Sequence, residues 1–446
     1  MSTQAHSAAV MKLESDAEEI NAKSDFMSKL PTILRLLGAA ALLVAMYSFL
    51  IKGWQGGNDV FRYLLLLGHT GVLASIGLAS GHFLKESKGA RLLLTLALVS
   101  IPANFAILGA FIFSQWGIVN LAQYPEFVAW TVTSMQTATI TSVGALAVLI
   151  PVTLLGFTVL ARSMSTRLSV LYLLSNAALL LPMRDPILVG LLVLGLAVFS
   201  ILVTRTTSKK IASKTKEGLI ALSLQSLPLA VLMGRTLWLY SLDLFLFTAM
   251  VITVFVMLRQ ASIFLNKNSS LRQALDLLSL FPAIFTGPLL AATFLDAGML
   301  NDTLALALAS VTSAFMVYEI ARRNEEYAFV YRFIAAFVLL LGMCANVFLF
   351  TGTLSALLAT VTGLAMFMLG LRNRQRGFFI SGLILMVIGI VQQFYELIHH
   401  FNLGSWATLA VIGVLAIVTG SIIEAKGGNI HQRITGWKSD FKEWEG

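Results

Sequence analysis

Charge is scarce in this chain. Only 12% of its 446 residues are Asp, Glu, Lys or Arg, while 57% are hydrophobic and the mean hydropathy is +0.84. A soluble domain carries about 25% charged residues to keep its surface hydrated. Half that density excludes an ordinary soluble protein and points to a bilayer as the solvent. Cysteine is scarcer still: Cys344 is the only one and lies in an apolar run, which excludes a disulfide scaffold. The sequence has no Gly-rich P-loop, no His-Glu-x-x-His and no Gly-x-Ser-x-Gly. Haem-carrying spans need paired histidines deep in the bilayer, and His69 alone qualifies. No cofactor, no metal and no catalytic residue is expected, and the leaning is away from an enzyme.

What is present is a series of long apolar runs. A spanning helix needs about 20 apolar residues at 1.5 Å each to cross roughly 30 Å of hydrocarbon. Fourteen runs qualify: Ile33–Ile51, Tyr63–Leu84, Leu92–Phe113, Ala138–Leu160, Leu168–Pro182, Ile187–Thr204, Leu219–Met233 and Leu237–Leu258, then Ala274–Phe294, Leu304–Ala321, Phe329–Phe350, Ala356–Leu371, Phe378–Ile398 and Trp406–Ile423. Leu168–Pro182 and Leu219–Met233 are short, so the count lies between 12 and 14. The runs are continuous rather than alternating, which excludes a β-barrel. The expected fold is therefore an all-α integral membrane protein with short loops and no soluble domain. A cytoplasmic N-terminal segment covers 1–30, a polytopic helical domain 31–424, and a cytoplasmic amphipathic tail 425–446.

Lysine and arginine set the orientation, because basic loops are retained on the cytoplasmic side. Every second loop is basic, as in Lys85, Lys88 and Arg91, or Arg205, Lys209, Lys210, Lys214 and Lys216. With both termini cytoplasmic, only Lys52, Arg62, Arg184 and Arg235 of the 31 basic residues fall outside. The net charge of +9 is thus spread over short loops as a topology signal, which excludes nucleic acid as a partner. Short loops and the lack of a cleavable leader suggest a bacterial inner membrane.

The two ends differ. Val10, Leu13, Ala17 and Ile20 recur at helical spacing beside Glu14, Asp16, Glu18, Glu19 and Asp25, so the N-terminal segment is acidic. An anionic leaflet repels it, and its two readings are a helix docked on a protein partner or the basic loops and a disordered tail. Near the C-terminus Trp437, Phe441 and Trp444 share one helical face with Lys438 and Lys442 close by, the pattern of a helix lying among lipid headgroups.

The stretch Gly81–Gln115 resembles a segment of uncharacterised bacterial polytopic inner-membrane proteins. There too a span ends in a short basic turn, here Lys85-Glu86-Ser87-Lys88-Gly89-Ala90-Arg91, and a Leu/Ala-rich helix returns. The resemblance covers under a tenth of the chain and implies no activity.

Ionisable residues inside spans are costly and nominate functional sites. Asp276 follows Arg272 by four residues, and Glu319 precedes Arg322 and Arg323 by three and four, so both are expected in local pairs near helix ends. Asp243 has no basic neighbour at those spacings. It falls about 10 Å along its expected span. Its two readings are an ion-coupling site in an outward cavity and a pair with Arg235 or Arg184. Glu396, His399 and His400 share an expected helix end with Gln392 and Gln393. Adjacent histidines point about 100° apart on a helix, which disfavours one shared metal. His69 lies seven residues beyond Arg62 on a helix rich in small residues, where Gly77 and Gly81 form a close-packing motif. Asp243, Glu396, His69 and His399 are the candidate substrate or coupling residues.

Mid-span prolines and amides recur as well: Pro102 with Asn104, Pro151, Asn176, Gln225 with Pro228, Pro282, Pro288 and Asn346. Interrupted helices are one way to build a midplane site. Two functions fit. The first is a transporter or flippase moving an apolar or lipidic substrate, with membrane lipid as its partner. The second is a non-catalytic subunit or scaffold that gathers partner proteins through its tails.

Overall fold

A computed structural model describes residues 30–46, 48, 58–83, 87–116, 129–182, 185–239, 243–265, 269–324, 326–401 and 417, without the side chains of 87, 236–239 and 399–401. Of the described residues 90% are helical, and none forms a strand. The helices are α1 (Leu30–Met46), α2 (Asp59–Phe83), α3 (Ser87–Trp116), α4 (Met135–Ala161), α5 (Ser165–Leu180), α6 (Pro186–Thr207) and α7 (Lys216–Leu224). They continue with α8 (Ser226–Leu239), α9 (Leu244–Phe264), α10 (Ser270–Asp296), α11 (Asp302–Arg323), α12 (Ala328–Leu349), α13 (Thr353–Asn373) and α14 (Arg376–Phe401).

Eleven of these, counting Lys216–Arg235 across α7 and α8 as one, are long and apolar enough to cross a membrane. The expected fourteen differ from these eleven at three places. Helix α5 has only 16 residues, α1 has 17 described residues, and Trp406–Ile423 lies outside the described residues apart from helical Ile417. The N-terminal acidic segment and the tail with Trp437, Phe441 and Trp444 also lie outside them.

Apolar side chains point outward along the helices. Leu36 is 72% exposed, Ile140 63% and Phe348 74%. Large apolar residues scattered over whole helix faces are what a hydrocarbon solvent permits and water does not. The all-α chain with these helices fits a multi-pass membrane protein.

The chain divides into two compact units, Met1–Arg184 with Leu202–Leu239, and Asp185–Ile201 with Tyr240–Gly446. In the first unit α3 is the hub. Its span is 72% buried, against 28–44% for the other candidate spans lying wholly in that unit. Helices α2, α4, α5, α7 and α8 all pack on it. Small residues make this possible. A Cβ at Gly109 would run into the Leu179 carbonyl of α5, and one at Gly156 of α4 would lie 2.9 Å from Leu98.

The second unit holds a core of Phe255, Val317, Ile320, Met343, Met366 and Leu385, among others. Here α13 and α14 form a hairpin in near-backbone contact. A Cβ at Gly363 would lie 2.6 Å from the Met386 nitrogen, and one at Gly389 2.7 Å from the Thr360 nitrogen. Without a hydrophobic drive between helices in lipid, such close approach supplies the dispersion energy that holds them.

Replacing Gly363 by leucine is therefore expected to destabilise the hairpin by about 1–3 kcal/mol, the range for overpacking. Thermal unfolding in detergent checks this. Glycines with open space beside them, such as Gly144 and Gly195, are expected to accept alanine with little change.

Candidate functional site

Two buried polar arrangements stand out, one in each unit. In the second unit a charged centre ties three helices together. The Arg259 guanidinium of α9 bonds Asp276 of α10 through Nη1 and donates through Nε to Glu319 Oε2 of α11 at 2.8 Å. Glu319 is also held by Arg323 Nε at 2.5 Å, and Asn324 Nδ2 donates to the other Asp276 oxygen at 2.9 Å. The side chains of Arg259 and Asp276 are 5% and 1% exposed. Two cations and two carboxylates cancel, so the centre carries no net charge.

The expected local pair of Glu319 with Arg323 is present, and the expected pair of Asp276 with Arg272 is not. Asp276 bonds across helices to Arg259, while Arg272 donates to the Arg323 carbonyl at 2.8 Å. Arg259 looked like a loop residue because the span was placed at Leu237–Leu258. The helix runs Leu244–Phe264, and the shift of several residues carries Arg259 inside it.

In the first unit the helical hydrogen bonding of the stretch Leu219–Met233 is interrupted at one residue, Gln225, whose backbone itself stays in the helical region (φ −62°, ψ −23°). Thr215 caps α7 by accepting from the Gly218 N–H at 3.1 Å, and the helix stops at Leu224. The Gln225 N–H reaches back only three residues, to the Leu222 carbonyl at 3.1 Å. Pro228 is the cause: it has no N–H to give the Leu224 carbonyl, and its ring crowds that oxygen. Pro102, Pro151, Pro282 and Pro288 lie inside continuous helices, so only Pro228 coincides with an interruption.

Gln225 is 8% exposed, and neither its Nε2 nor its Oε1 has a partner among the described residues. Two other buried amides of this unit are half satisfied. Asn104 donates to Thr70 Oγ1 at 3.0 Å and to the Ser100 carbonyl, and Asn176 donates to the Tyr172 carbonyl at 2.8 Å. In each, Oδ1 is buried without a partner. Such atoms are rare in proteins and mark the places where water or a ligand completes the bonding.

The residues nominated from sequence are dispersed. Asp243 is the N-cap of α9, its carboxylate accepting from the Leu244 N–H at 2.9 Å, rather than a residue part-way down a span. Arg235, expected in a loop, lies in α8 and donates to the Leu179 carbonyl at 2.8 Å. Glu396 is 9% exposed and accepts from Gln392 at 3.2 Å, while the side chains of His399 and His400 lie outside the described residues. Among the described residues no three His, Cys, Asp or Glu side chains are grouped as a metal site.

His69 lines a cleft of about 200 Å³ between α1 and α2, together with Ala45, Met46, Leu65 and Leu66. At Gly77 and Gly81 the α2 backbone approaches α3. An added Cβ would lie 3.1 Å from Leu94 at the first and 3.4 Å from Ala90 at the second. Arg62 does not accompany His69. It is buried at the start of α2, 2.9 Å from Asp59 and with its guanidinium carbon 4.6 Å from the centre of the Trp130 ring. Such a desolvated cation–π contact is favourable.

Removing Arg259 alone leaves the buried Asp276 carboxylate without a cation, while Glu319 keeps Arg323. Arg259→Leu is expected to destabilise the protein by about 3–5 kcal/mol, as when one partner of a buried pair is lost. The double variant with Asp276→Leu is expected to recover much of that. Chemical denaturation in detergent compares the two, and a fully additive loss would contradict the coupling.

Comparison of the whole chain with protein-family models, with curated proteins and with solved structures finds no match.

Proposed function

We propose that this chain is a transporter- or flippase-like protein of a cell inner membrane, with its basic loops and both termini in the cytoplasm, and that it moves an apolar or lipidic substrate. One observation carries the reading: a membrane-length stretch, Lys216–Arg235, is interrupted at Gln225 in the buried interior of the first unit, with an unpartnered amide at the break. Interrupted helices at depth are tolerated where the freed polar groups meet a substrate or a water-filled path.

The surroundings favour a lipidic cargo. The α1–α2 cleft is apolar but for His69, and its 200 Å³ is below the roughly 300–1,000 Å³ of a pocket enclosing a whole soluble metabolite. It fits a segment of a lipid rather than a sugar or amino acid taken from water. Movement driven by ion coupling has less support. Asp276 and Glu319 are neutralised by Arg259 and Arg323, and Asp243 is occupied as a helix cap.

The test is reconstitution of the full chain into vesicles containing a fluorescent neutral, hydroxyl-bearing lipid or, in parallel, a fluorescent phospholipid, with an impermeant reductant added outside. The protein is expected to expose inner-leaflet probe that protein-free vesicles protect. Pro228→Ala, which restores the missing N–H, is expected to slow this at least tenfold, about 1.4 kcal/mol in the barrier. Protection equal to that in protein-free vesicles, for phospholipid and for neutral lipid probes alike, would refute transport and leave the scaffold reading.

A further inference from the structure

We propose that the break at Gln225 is a headgroup site and that it recognises an uncharged, hydroxyl-bearing headgroup; the assignment rests on the transport reading and specifies its substrate class. A primary amide offers two N–H donors and one carbonyl acceptor. At Gln225 both kinds of atom are buried with no partner among the described residues. The Leu224 carbonyl beside it loses its helical donor to Pro228. Donor and acceptor side by side, with no formal charge, match a hydroxyl, which also gives one bond and takes others.

The charge distribution excludes an ionised headgroup. Among the described residues of the first unit, Arg62 is the one buried charge, and it is already paired with Asp59 over Trp130. Arg91 and Glu217 bond each other at 2.5 Å and are both partly exposed. The half-buried Arg235 lies ten residues, about 15 Å, further along the same stretch and is committed to the Leu179 carbonyl, so a phosphate or ammonium held at Gln225 itself would be far costlier than a hydroxyl.

Two more unpartnered acceptors lie in the same unit. The Arg91–Glu217 pair sets the register of α7 on α3, and Gln225 follows Glu217 by eight residues, about 12 Å. The Gly109–Leu179 approach sets the register of α5 on α3. By these two marks Asn104 and Asn176 lie within one turn of each other, roughly 7–10 Å beyond Gln225 along α3. Their unpartnered Oδ1 atoms each call for a donor. Acceptors outnumber donors along this line, which suits hydroxyl groups better than carbonyls.

The experiment uses mono-oleoylglycerol, which is neutral and carries two hydroxyls, against dioleoylphosphatidylglycerol, which carries glycerol hydroxyls and a phosphate. Binding to the purified full chain in detergent is read by native mass spectrometry and by the shift in melting temperature. The wild type is expected to retain mono-oleoylglycerol at least tenfold better than the phospholipid. Gln225→Leu is expected to lose that preference while melting no lower than wild type in the absence of lipid, since it replaces an unsatisfied polar group by an apolar one of similar size. Gln225→Glu keeps the shape and is expected to lose binding as well.

Equal binding of both lipids overturns the assignment. So does mono-oleoylglycerol binding that Gln225→Leu leaves unchanged, or a Gln225→Leu variant that melts several degrees lower, which would show a partnered structural amide. Absence of any lipid-dependent shift shows a buried water alone and overturns it too. Flipping in vesicles that ignores Gln225 refutes the headgroup site and leaves transport standing. Selective binding without flipping refutes transport and leaves the site.

Discussion

A buried polar group in a bilayer interior has no water to fall back on, and the helices of this chain are arranged around that constraint. Backbone groups are satisfied within helices, as they must be where lipid surrounds them. Buried threonine hydroxyls follow the same rule: Thr70, Thr153, Thr248, Thr253 and Thr286 all donate to the carbonyl four residues back on their own helix. Against that background the unsatisfied atoms become informative, because each departs from a rule obeyed elsewhere in the same helices.

The two units meet the constraint differently. The second unit buries formal charges and cancels them, with Arg259 bridging Asp276 and Glu319 so that α9, α10 and α11 are fastened at one end. Its amide Asn346 donates to the Thr303 carbonyl at 2.8 Å, tying α12 to the start of α11. Amide oxygens without a donor occur in both units, at Asn104, Asn176 and Gln225 in the first and at Asn346 and Gln375 in the second, but the first unit buries little charge and contains the interrupted α7–α8 stretch. Fastening suits a rigid support. An unsatisfied, interrupted interior suits binding.

Much of this architecture was legible in the sequence, because hydropathy over 20 residues reports directly on the solvent a helix meets. The all-α class and most spans follow from it. The errors have physical causes. Asp243 ahead of an apolar run is an N-cap signal. Reading the run as starting at Leu237 buried that signal inside a helix and pushed Arg259 out into a loop. Composition averages could not separate Leu219–Met233 into two helices, since Pro228 alters one hydrogen bond without altering hydropathy. The Gln225–Pro228 pairing was visible, but three residues between a polar amide and a proline do not reveal whether the helix bends, breaks or continues. Arg259 finding Asp276 and Glu319 depends on three helices meeting, which no local spacing records.

The central claim is that the stretch Lys216–Arg235 is interrupted at Gln225 within a buried interior. Hydrogen–deuterium exchange of the full chain in lipid bilayer discs tests it most directly, because amides in a continuous buried helix are protected and those at an interruption are not. Exchange at Gln225, Ser226 and Leu227 is expected to be at least tenfold faster than in the middle of α3, around Ala97–Leu108, with protection returning by Leu232. Uniform slow exchange from Ile220 to Leu232 would contradict it, and the first unit would then be a continuous, dry bundle.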